Sequence, residues 1–188
     1  PEVKPGKKLD DAYIKEDLAL LEKGCSNLVA HINTVVKSGS NPVVCINSFN
    51  TDTIAEHALI KKIAEENGAS CAVSEHWLKG GEGSKELAQL VINAAEEPND
   101  FEFLYENDIS IRERVIKIAT EIYGADGVEW SPKAEDKLSF YEKDAQTSKL
   151  SICMVKTHLS LSHNPILKGK PSGWVLPIRD ILVYRGAG

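Results

Sequence analysis

The stretch PVVCINSFNTDTIAEHALIKKIAEENGASCAVSE, residues 42–75, decides the fold of this chain. Its first part contains VVCIN, a short continuous apolar run rich in β-branched residues, which is typical of a buried parallel strand. A polar loop and a helical pattern follow, in which Thr51 or Asp52 can cap the helix and Gly68 ends it. The next predicted strand is SCAVSE. Strand, helix and strand in this order predict a parallel α/β unit.

Helical patterns flank this unit on both sides. Upstream, apolar residues recur at a spacing near 3.6 from Glu16 to about Lys37, which predicts an amphipathic helix. Downstream, a glycine turn leads into a helix that we expect from Ser84 to about Glu97, just before Pro98. The loops that follow the two strands are therefore expected at one edge of the sheet, where parallel α/β folds bind ligands.

The organisation changes after Pro98, which divides the chain into residues 1–98 and 99–188. We expect the second part to be a smaller helical and α+β region. Its predicted elements are a helix that ends at Gly124, a helix with Ser131 as cap and Pro132 at its first position, a strand within 150–162 and a strand within 174–184. Because the chain stops at RGAG directly after a predicted strand, we expect it to be a fragment.

Composition excludes several classes of protein. A formal net charge of -6 argues against a general nucleic-acid binder. No apolar run approaches the ~20 residues of a membrane span, and the first residues contain no apolar signal core. The four cysteines are far apart and form no CxxC pair, so we expect buried free thiols and a reducing compartment, the cytosol or the mitochondrial matrix.

The loops after the two predicted strands contain the candidate binding residues. Phe49 and Trp77 each follow a strand, so a planar heterocycle could lie between their rings, although either ring could instead close the sheet end as core. Asn47 and Asp52 suit the hydrogen-bonding edge of a purine or pteridine, or Asp52 caps its helix.

The glycines of HWLKGGEG, Gly80, Gly81 and Gly83, precede a predicted helix. They match neither G-x-x-x-x-G-K-[ST] nor G-x-G-x-x-G, so they are not a known phosphate loop. They can free backbone N–H groups for an anion or a flat ring, or they can simply form a tight turn.

A second polar set lies in KTHLSLSH, residues 156–163, with two serines and two histidines. A Ser/His hydrolase is conceivable, but the chain has no nucleophile elbow G-x-S-x-G, and the histidines lack a zinc-helix spacing. Lys156 and Arg179 could contact phosphate or carboxylate groups, or simply acidic neighbours.

Several motifs, in a fixed order over essentially the whole chain, closely resemble the carboxyl-terminal part of the formate–tetrahydrofolate ligases. The version KTHLSLSHNP is more similar to the eukaryotic enzymes, in which this activity is the C-terminal part of C1-tetrahydrofolate synthase. The segments that carry the resemblance are PVVCINSFNTDTIAEHALIKKIAEENGA, AVSEHWLKGGEGSKELAQLV, EIYGADGVEWSP, SICMVKTHLSLSHNP and GWVLPIRD, with a final GAG.

This resemblance implies the ATP-dependent joining of formate to N10 of tetrahydrofolate through formyl phosphate, a reaction of one-carbon metabolism that supplies purine biosynthesis. It implies Mg2+ and a monovalent cation as cofactors and a homo-oligomer in the full-length enzyme, with neither nucleic acid nor membrane as a partner. Residues 1–98 would be the end of a P-loop-type nucleotide-binding domain.

The resemblance also assigns site residues. Phe49 and Trp77 match the aromatic residues that flank the pteridine ring, and Val73 matches an apolar residue of the folate pocket. Asn47 and the glycines Gly80, Gly81 and Gly83 would lie beside the nucleotide. The family's phosphate-binding loop and its catalytic Lys and Arg belong to the amino-terminal part, so no catalytic or metal-ligating residue is assigned here.

Two other functions stay open at this point. The chain could be a truncated folate-binding or regulatory module without catalysis, or an unrelated α/β phosphohydrolase, although clustered metal-binding carboxylates are absent from the sequence. The terminal ILVYRGAG also departs from the family pattern, which is close to VRxSxGAGF and continues.

Overall fold

The computed structural model describes residues 6–106 and 108–184. The chain divides into two compact units, one up to Phe101 and one from Glu102 onward. Of the terminal ILVYRGAG, where the sequence departs from the family pattern, residues 185–188 lie outside the described residues.

The first unit is built around the predicted strand–helix–strand segment. Its two strands are parallel neighbours, with Val43 opposite Ser70 and Asn47 opposite Ser74, which confirms the parallel unit. Its elements are α1 (Leu18–Lys37), β1 (Val43–Asn47), α2 (Ile54–Glu66), β2 (Ser70–Ser74), the short α3 (His76–Lys79) with a 3-10 segment (Gly80–Ser84), and α4 (Lys85–Glu96).

One apolar core holds the first unit together. Ile32 of α1, Ile46 of β1 and Ala64 of α2 are almost fully buried, together with Ala69 and Cys71 at β2. Burying one such large aliphatic side chain contributes about 1.5–3 kcal/mol. The helices α1 and α2 therefore fix the sheet and, with it, the positions at which the two strands end.

The N-terminus of α2 differs from the prediction. Neither Thr51 nor Asp52 is the cap; the hydroxyl of Thr53 accepts from Glu56 N at 3.2 Å, while the Glu56 carboxylate accepts from Thr53 N at 2.8 Å. This reciprocal pair satisfies two backbone donors that the helix leaves open. The predicted end of the helix is confirmed, because Gly68 has a φ of +84° in the left-handed region.

The second unit has its own two-stranded parallel sheet, in which Gly127 lies opposite Val175. The helix with Ser131 as cap and Pro132 at its first turn is confirmed. The strand predicted within 150–162 is wrong, since that stretch has only an isolated bridge from Ser160 to Gly169. The elements are α5 (Ile111–Lys117) continued by a π-helical turn (Ile118–Ile122), β3 (Gly127–Trp130), which was not predicted, α6 (Pro132–Lys143), a 3-10 turn (Pro165–Leu167) and β4 (Val175–Ile178).

A buried arginine holds the irregular stretch after α6. Arg114 of α5 is fully buried, and its guanidinium donates to the backbone carbonyls of Ser110 at 3.3 Å, Leu150 at 2.6 Å and Ser148. The hydroxyl of Thr147 similarly donates to Tyr141 O at 2.9 Å. In the stretch predicted as a strand, the carbonyl of Leu150 is thus bonded to a side chain instead of to a neighbouring strand.

The cysteines only partly match expectation. Cys25 and Cys71 are buried free thiols, and burial, the largest cause, raises the pKa of both. Cys45 and Cys153 are also free but exposed, so the prediction that all four are buried is wrong for these two. Cys45 is exposed within β1, and Cys153 lies in the stretch that does not form a strand.

Candidate functional site

The two loops after β1 and β2 meet at one edge of the first unit's sheet. Since Asn47 and Ser74 are register partners at the strand ends, the chain leaves both strands on the same side. The backbone N–H of Ser48 extends the ladder by one bond to Ser74 O, at 3.0 Å. This edge therefore carries both segments that the sequence singles out for binding.

Trp77 lies on a helical turn rather than in an open loop. The short α3 begins directly after β2, and Trp77 is its second residue. The indole Nε1 donates to Ser48 O at 3.1 Å, yet 58% of the residue stays exposed. The hydrogen bond joins Trp77 to the residue next to Phe49 and leaves the indole faces accessible to a ligand.

Phe49 is the matching aromatic residue on the β1 side. It is 56% exposed, and its backbone is tied to Asp52 by two hydrogen bonds, Phe49 N to Asp52 Oδ2 at 2.8 Å and Asp52 N to Phe49 O at 3.1 Å. The carboxylate thus holds a tight turn under the ring. Neither aromatic side chain is buried as core at the end of the sheet, which was the alternative interpretation of both residues.

The other predicted residues have separate surroundings. Asn47 is exposed at the end of β1. Val73 is partly buried and packs against the core cluster that contains Ile46 and Ile32, so its observed contacts are those of a core residue. A place for Val73 in a folate pocket stays a prediction.

The three glycines serve different purposes. Gly80 has a φ of +60°, which few other residues adopt, at the end of α3. A Cβ on Gly83 would lie 2.6 Å from Glu75 O, because the chain closes back there and Glu75 N donates to Gly83 O at 2.9 Å. A Cβ on Gly81 would meet nothing within 4 Å. At Gly83, therefore, the protein's own backbone requires a glycine.

A small polar network under this closed segment was not predicted. The hydroxyl of Ser74 is fully buried and lies 2.8 Å from Ser84 Oγ and 3.2 Å from His76 Nδ1. It links the end of β2 to both ends of the segment that carries Trp77. Serines at a strand end and just before a helix are too common to have signalled this contact in advance.

The Ser/His-rich stretch of the second unit has structural contacts. The hydroxyls of Ser160 and Ser162 lie 2.8 Å apart and are buried, and Ser162 Oγ donates to Asn164 O at 3.1 Å. Lys156 Nζ donates to Thr157 O at 2.8 Å, and the ring of His163 packs 5.6 Å from that of Trp174. These bonds shape a loop and form no nucleophile–base pair.

Within residues 6–106 and 108–184, no group of three or more His, Cys, Asp or Glu side chains is arranged to hold a metal ion. The same part of the chain contains no helix long and apolar enough to cross a membrane.

Comparisons with known proteins identify the family. The family model for formate–tetrahydrofolate ligase matches residues 3–188. Proteins named formate–tetrahydrofolate ligase are similar over the whole chain: 58% identical in Desulfosudis oleivorans, 55% in Syntrophobacter fumaroxidans and 56% in Dehalococcoides mccartyi, with 32% of each relative covered.

The chain thus spans about a third of the length of these curated relatives. Because these relatives are bacterial, the predicted likeness to the eukaryotic enzymes stays a prediction. A family match over nearly the full chain, together with identities above 50%, agrees with the resemblance drawn from the motifs. This chain belongs to the formate–tetrahydrofolate ligase family.

Proposed function

We propose that this chain is the folate-binding part of an enzyme that formylates tetrahydrofolate at N10, using ATP and formate through formyl phosphate. The observation that carries the proposal is the pair of exposed aromatic residues, Phe49 and Trp77, at one sheet edge of a chain from this family. Contiguous exposed apolar surface is a feature of ligand-binding sites.

In the proposed complex, the pteridine ring lies between Phe49 and Trp77. Offset stacking contributes about 1 kcal/mol per ring beyond the apolar area that it buries. The indole is already oriented, because its N–H is bonded to Ser48 O, and the turn under Phe49 is held by Asp52. The hydrogen-bonded indole loses little conformational entropy when the ligand binds, which favours affinity.

We place the nucleotide beside Asn47, Gly80 and Gly81. The exposed amide of Asn47 can donate and accept hydrogen bonds. A Cβ would meet no atom within 4 Å at Gly80 or Gly81, so a ligand can approach the backbone closely there. Gly83 belongs to this group only through its closure onto Glu75, which sets the shape of the segment.

The chemistry of ligation requires groups beyond these. N10 attacks the formyl carbon, the new C–N bond forms, the C–O bond to phosphate breaks with its electron pair, and N10 loses a proton. The part played by this chain is to hold the pteridine and direct N10. The described residues do not fit Mg2+, and no G-x-x-x-x-G-K-[ST] occurs, so we derive no step through the metal, the monovalent cation or the ATP phosphates from this chain.

The proposed clamp is tested by calorimetric titration of tetrahydrofolate into the full-length protein that contains this chain. We expect Trp77→Ala and Phe49→Ala each to weaken binding about tenfold, the loss typical of one stacked ring. Phe140→Ala is the matched control, since Phe140 is an exposed aromatic residue of the second unit and should leave the affinity unchanged. Unchanged affinity in both clamp variants would refute the proposal.

A separate experiment tests whether this chain binds folate without catalysing the ligation. The isolated 188-residue chain, supplied with ATP, formate and tetrahydrofolate, is expected to bind folate without turnover, because no group in it is assigned to the ATP phosphates. Measurable formation of 10-formyltetrahydrofolate by the isolated chain would contradict this expectation.

A further inference from the structure

We infer that Asp52 and His57 form a latch that positions Phe49 for the folate ring. This inference rests on the proposed function, because it assigns the latch to the ligand that Phe49 would stack against. Asp52 and His57 are positioning residues: they act through Phe49 and contact none of the three substrates.

Asp52 is attached to Phe49 by two hydrogen bonds. One carboxylate oxygen, Oδ2, accepts from Phe49 N at 2.8 Å, and the backbone N–H of Asp52 donates to Phe49 O at 3.1 Å. A hydrogen bond to a charged carboxylate is stronger than one between neutral groups. Any movement of the Asp52 side chain is therefore passed directly to the backbone that carries the aromatic ring.

His57 has a ring nitrogen without a hydrogen-bond partner close to Asp52. Its Nε2 is a buried atom without a hydrogen-bond partner among the described residues, and it lies 3.7 Å from the same Asp52 Oδ2. A buried ring nitrogen without a partner is unfavourable, and a charge-assisted bond closes at about 2.8 Å. An approach of about 1 Å would satisfy the nitrogen and tighten the turn at Phe49.

The N-terminus of α2, which carries His57, is fixed by hydrogen bonds. It lies in the first turns of α2, where His57 N donates to Thr53 O at 3.1 Å. Thr53 is locked by its reciprocal bonds with Glu56, and its hydroxyl also donates to Glu16 Oε2 at 2.5 Å. Because the helix end is held in this way, the turn at residues 49–52 moves toward His57 rather than the reverse.

These contacts indicate how the latch closes when the ligand binds. In the structure the Asp52–His57 contact is open at 3.7 Å. A flat ring that presses on Phe49 brings the turn onto α2, so that the Asp52–His57 bond forms when folate binds. The latch therefore contributes to the affinity for tetrahydrofolate and leaves the handling of ATP and formate unaffected.

The test is steady-state kinetics of the full-length protein with Asp52→Ala, Asp52→Asn and His57→Ala. We expect Asp52→Ala to raise the KM for tetrahydrofolate about tenfold with little change in kcat or in the KM for ATP, as for lost uniform binding. Asp52→Asn, which can still accept from Phe49 N, should raise it by less than about threefold. His57→Ala should raise it by about threefold to tenfold.

The matched control is His31→Gln, an exposed histidine on α1, for which all kinetic constants should stay at the wild-type values. Thermal unfolding of every variant separates loss of folding from loss of positioning. If Asp52→Ala does not fold, the pair Asp52→Asn and His57→Ala still decides the matter. A wild-type KM for tetrahydrofolate in His57→Ala, or equal increases for all three substrates, would overturn the latch.

Failure of the latch can be told apart from failure of the proposed function. If Phe49→Ala raises the KM for tetrahydrofolate while the Asp52 and His57 variants do not, the clamp stands and the latch fails. If none of the three positions affects that KM, the folate assignment of the sheet edge fails and the latch fails with it.

Discussion

The two units of this chain both contain a two-stranded parallel sheet, but they hold their remaining backbone in different ways. In the first unit, helices follow each strand and the loops are short. In the second, the long stretch between α6 and β4 has little regular structure and is held by side chains such as Arg114 that bond to carbonyls. Side chains that bond to carbonyls thus hold a stretch of the second unit that no helix or strand orders, whereas α1 and α2 pack on the sheet of the first unit.

Removal of Arg114 is the strongest test of this difference between the two units. We expect Arg114→Leu to destabilise the second unit by about 3 kcal/mol, because it leaves the partly buried carbonyls of Ser148 and Leu150 without their side-chain donor. Hydrogen exchange monitored by mass spectrometry should show faster exchange in residues 144–158. Arg112→Leu is the control.

Arg112 is two residues away and only half-buried; it pairs with Glu135 and lies over the Trp130 ring at 4.8 Å. Loss of such a surface pair costs about 1 kcal/mol or less. Equal effects of the two arginine substitutions would show that Arg114 has no special role in the second unit.

The matching test in the first unit is Gly83→Ala. A Cβ there would lie 2.6 Å from Glu75 O, so the segment that carries Trp77 must open, which we expect to cost about 2–3 kcal/mol. Gly81→Ala should be almost neutral, since a Cβ would meet open space. The melting temperatures of the two variants measure the cost of opening the segment. Their folate affinities show whether opening it also weakens folate binding.

A smaller effect is expected at the start of α2. Thr53→Ala should destabilise the first unit by about 1 kcal/mol through loss of the cap, whereas Thr51→Ala should have no such effect. Denaturant unfolding followed by circular dichroism measures both variants. The opposite order would mean that the cap lies where the sequence first placed it.

The smallest effect is the dependence of stability on pH at Asp180, which follows β4. Side-chain hydrogen bonds from Lys133, then from Lys137, lower its pKa from 3.8 to about 2. A folded-state pKa below the unfolded one means that the contribution is present above about pH 4 and is lost as pH falls toward 2. Asp180→Asn should therefore flatten the stability curve between pH 4 and pH 2 in thermal unfolding.

Asp136→Asn, an exposed aspartate on α6, is the control for this pH series and should retain the wild-type slope. If Asp180→Asn retains that slope as well, the two lysines do not hold the segment after β4.

The contrast between the units also explains how much of the structure could be predicted. The strand–helix–strand segment of the first unit was predictable because its apolar residues repeat with the period of each element. The Ser131 cap and Pro132 were predictable for the same local reason. The stretch from 150 to 162 was mistaken for a strand from its local apolar pattern, which contains no sign of long-range contacts such as the bond from Arg114, 36 residues away, to the carbonyl of Leu150.

The same holds within the candidate site. The exposed rings of Phe49 and Trp77 agree with the reading of two loops at one sheet edge. The bond of Asp52 to Phe49 N and the closure of Gly83 onto Glu75 depend on backbone geometry, which composition and spacing do not contain. Sequence patterns thus pointed to the candidate site but not to the contacts that shape it.

The four cysteines have a practical consequence. Cys25 and Cys71 are buried with raised pKa values, so they react slowly with alkylating reagents. Cys45, two residues before Asn47, and Cys153, three residues after Leu150, are exposed. Each unit therefore carries one exposed cysteine as a native attachment point for a fluorophore or spin label, in the strand that leads to the candidate site in one unit and in the stretch that follows Leu150 in the other.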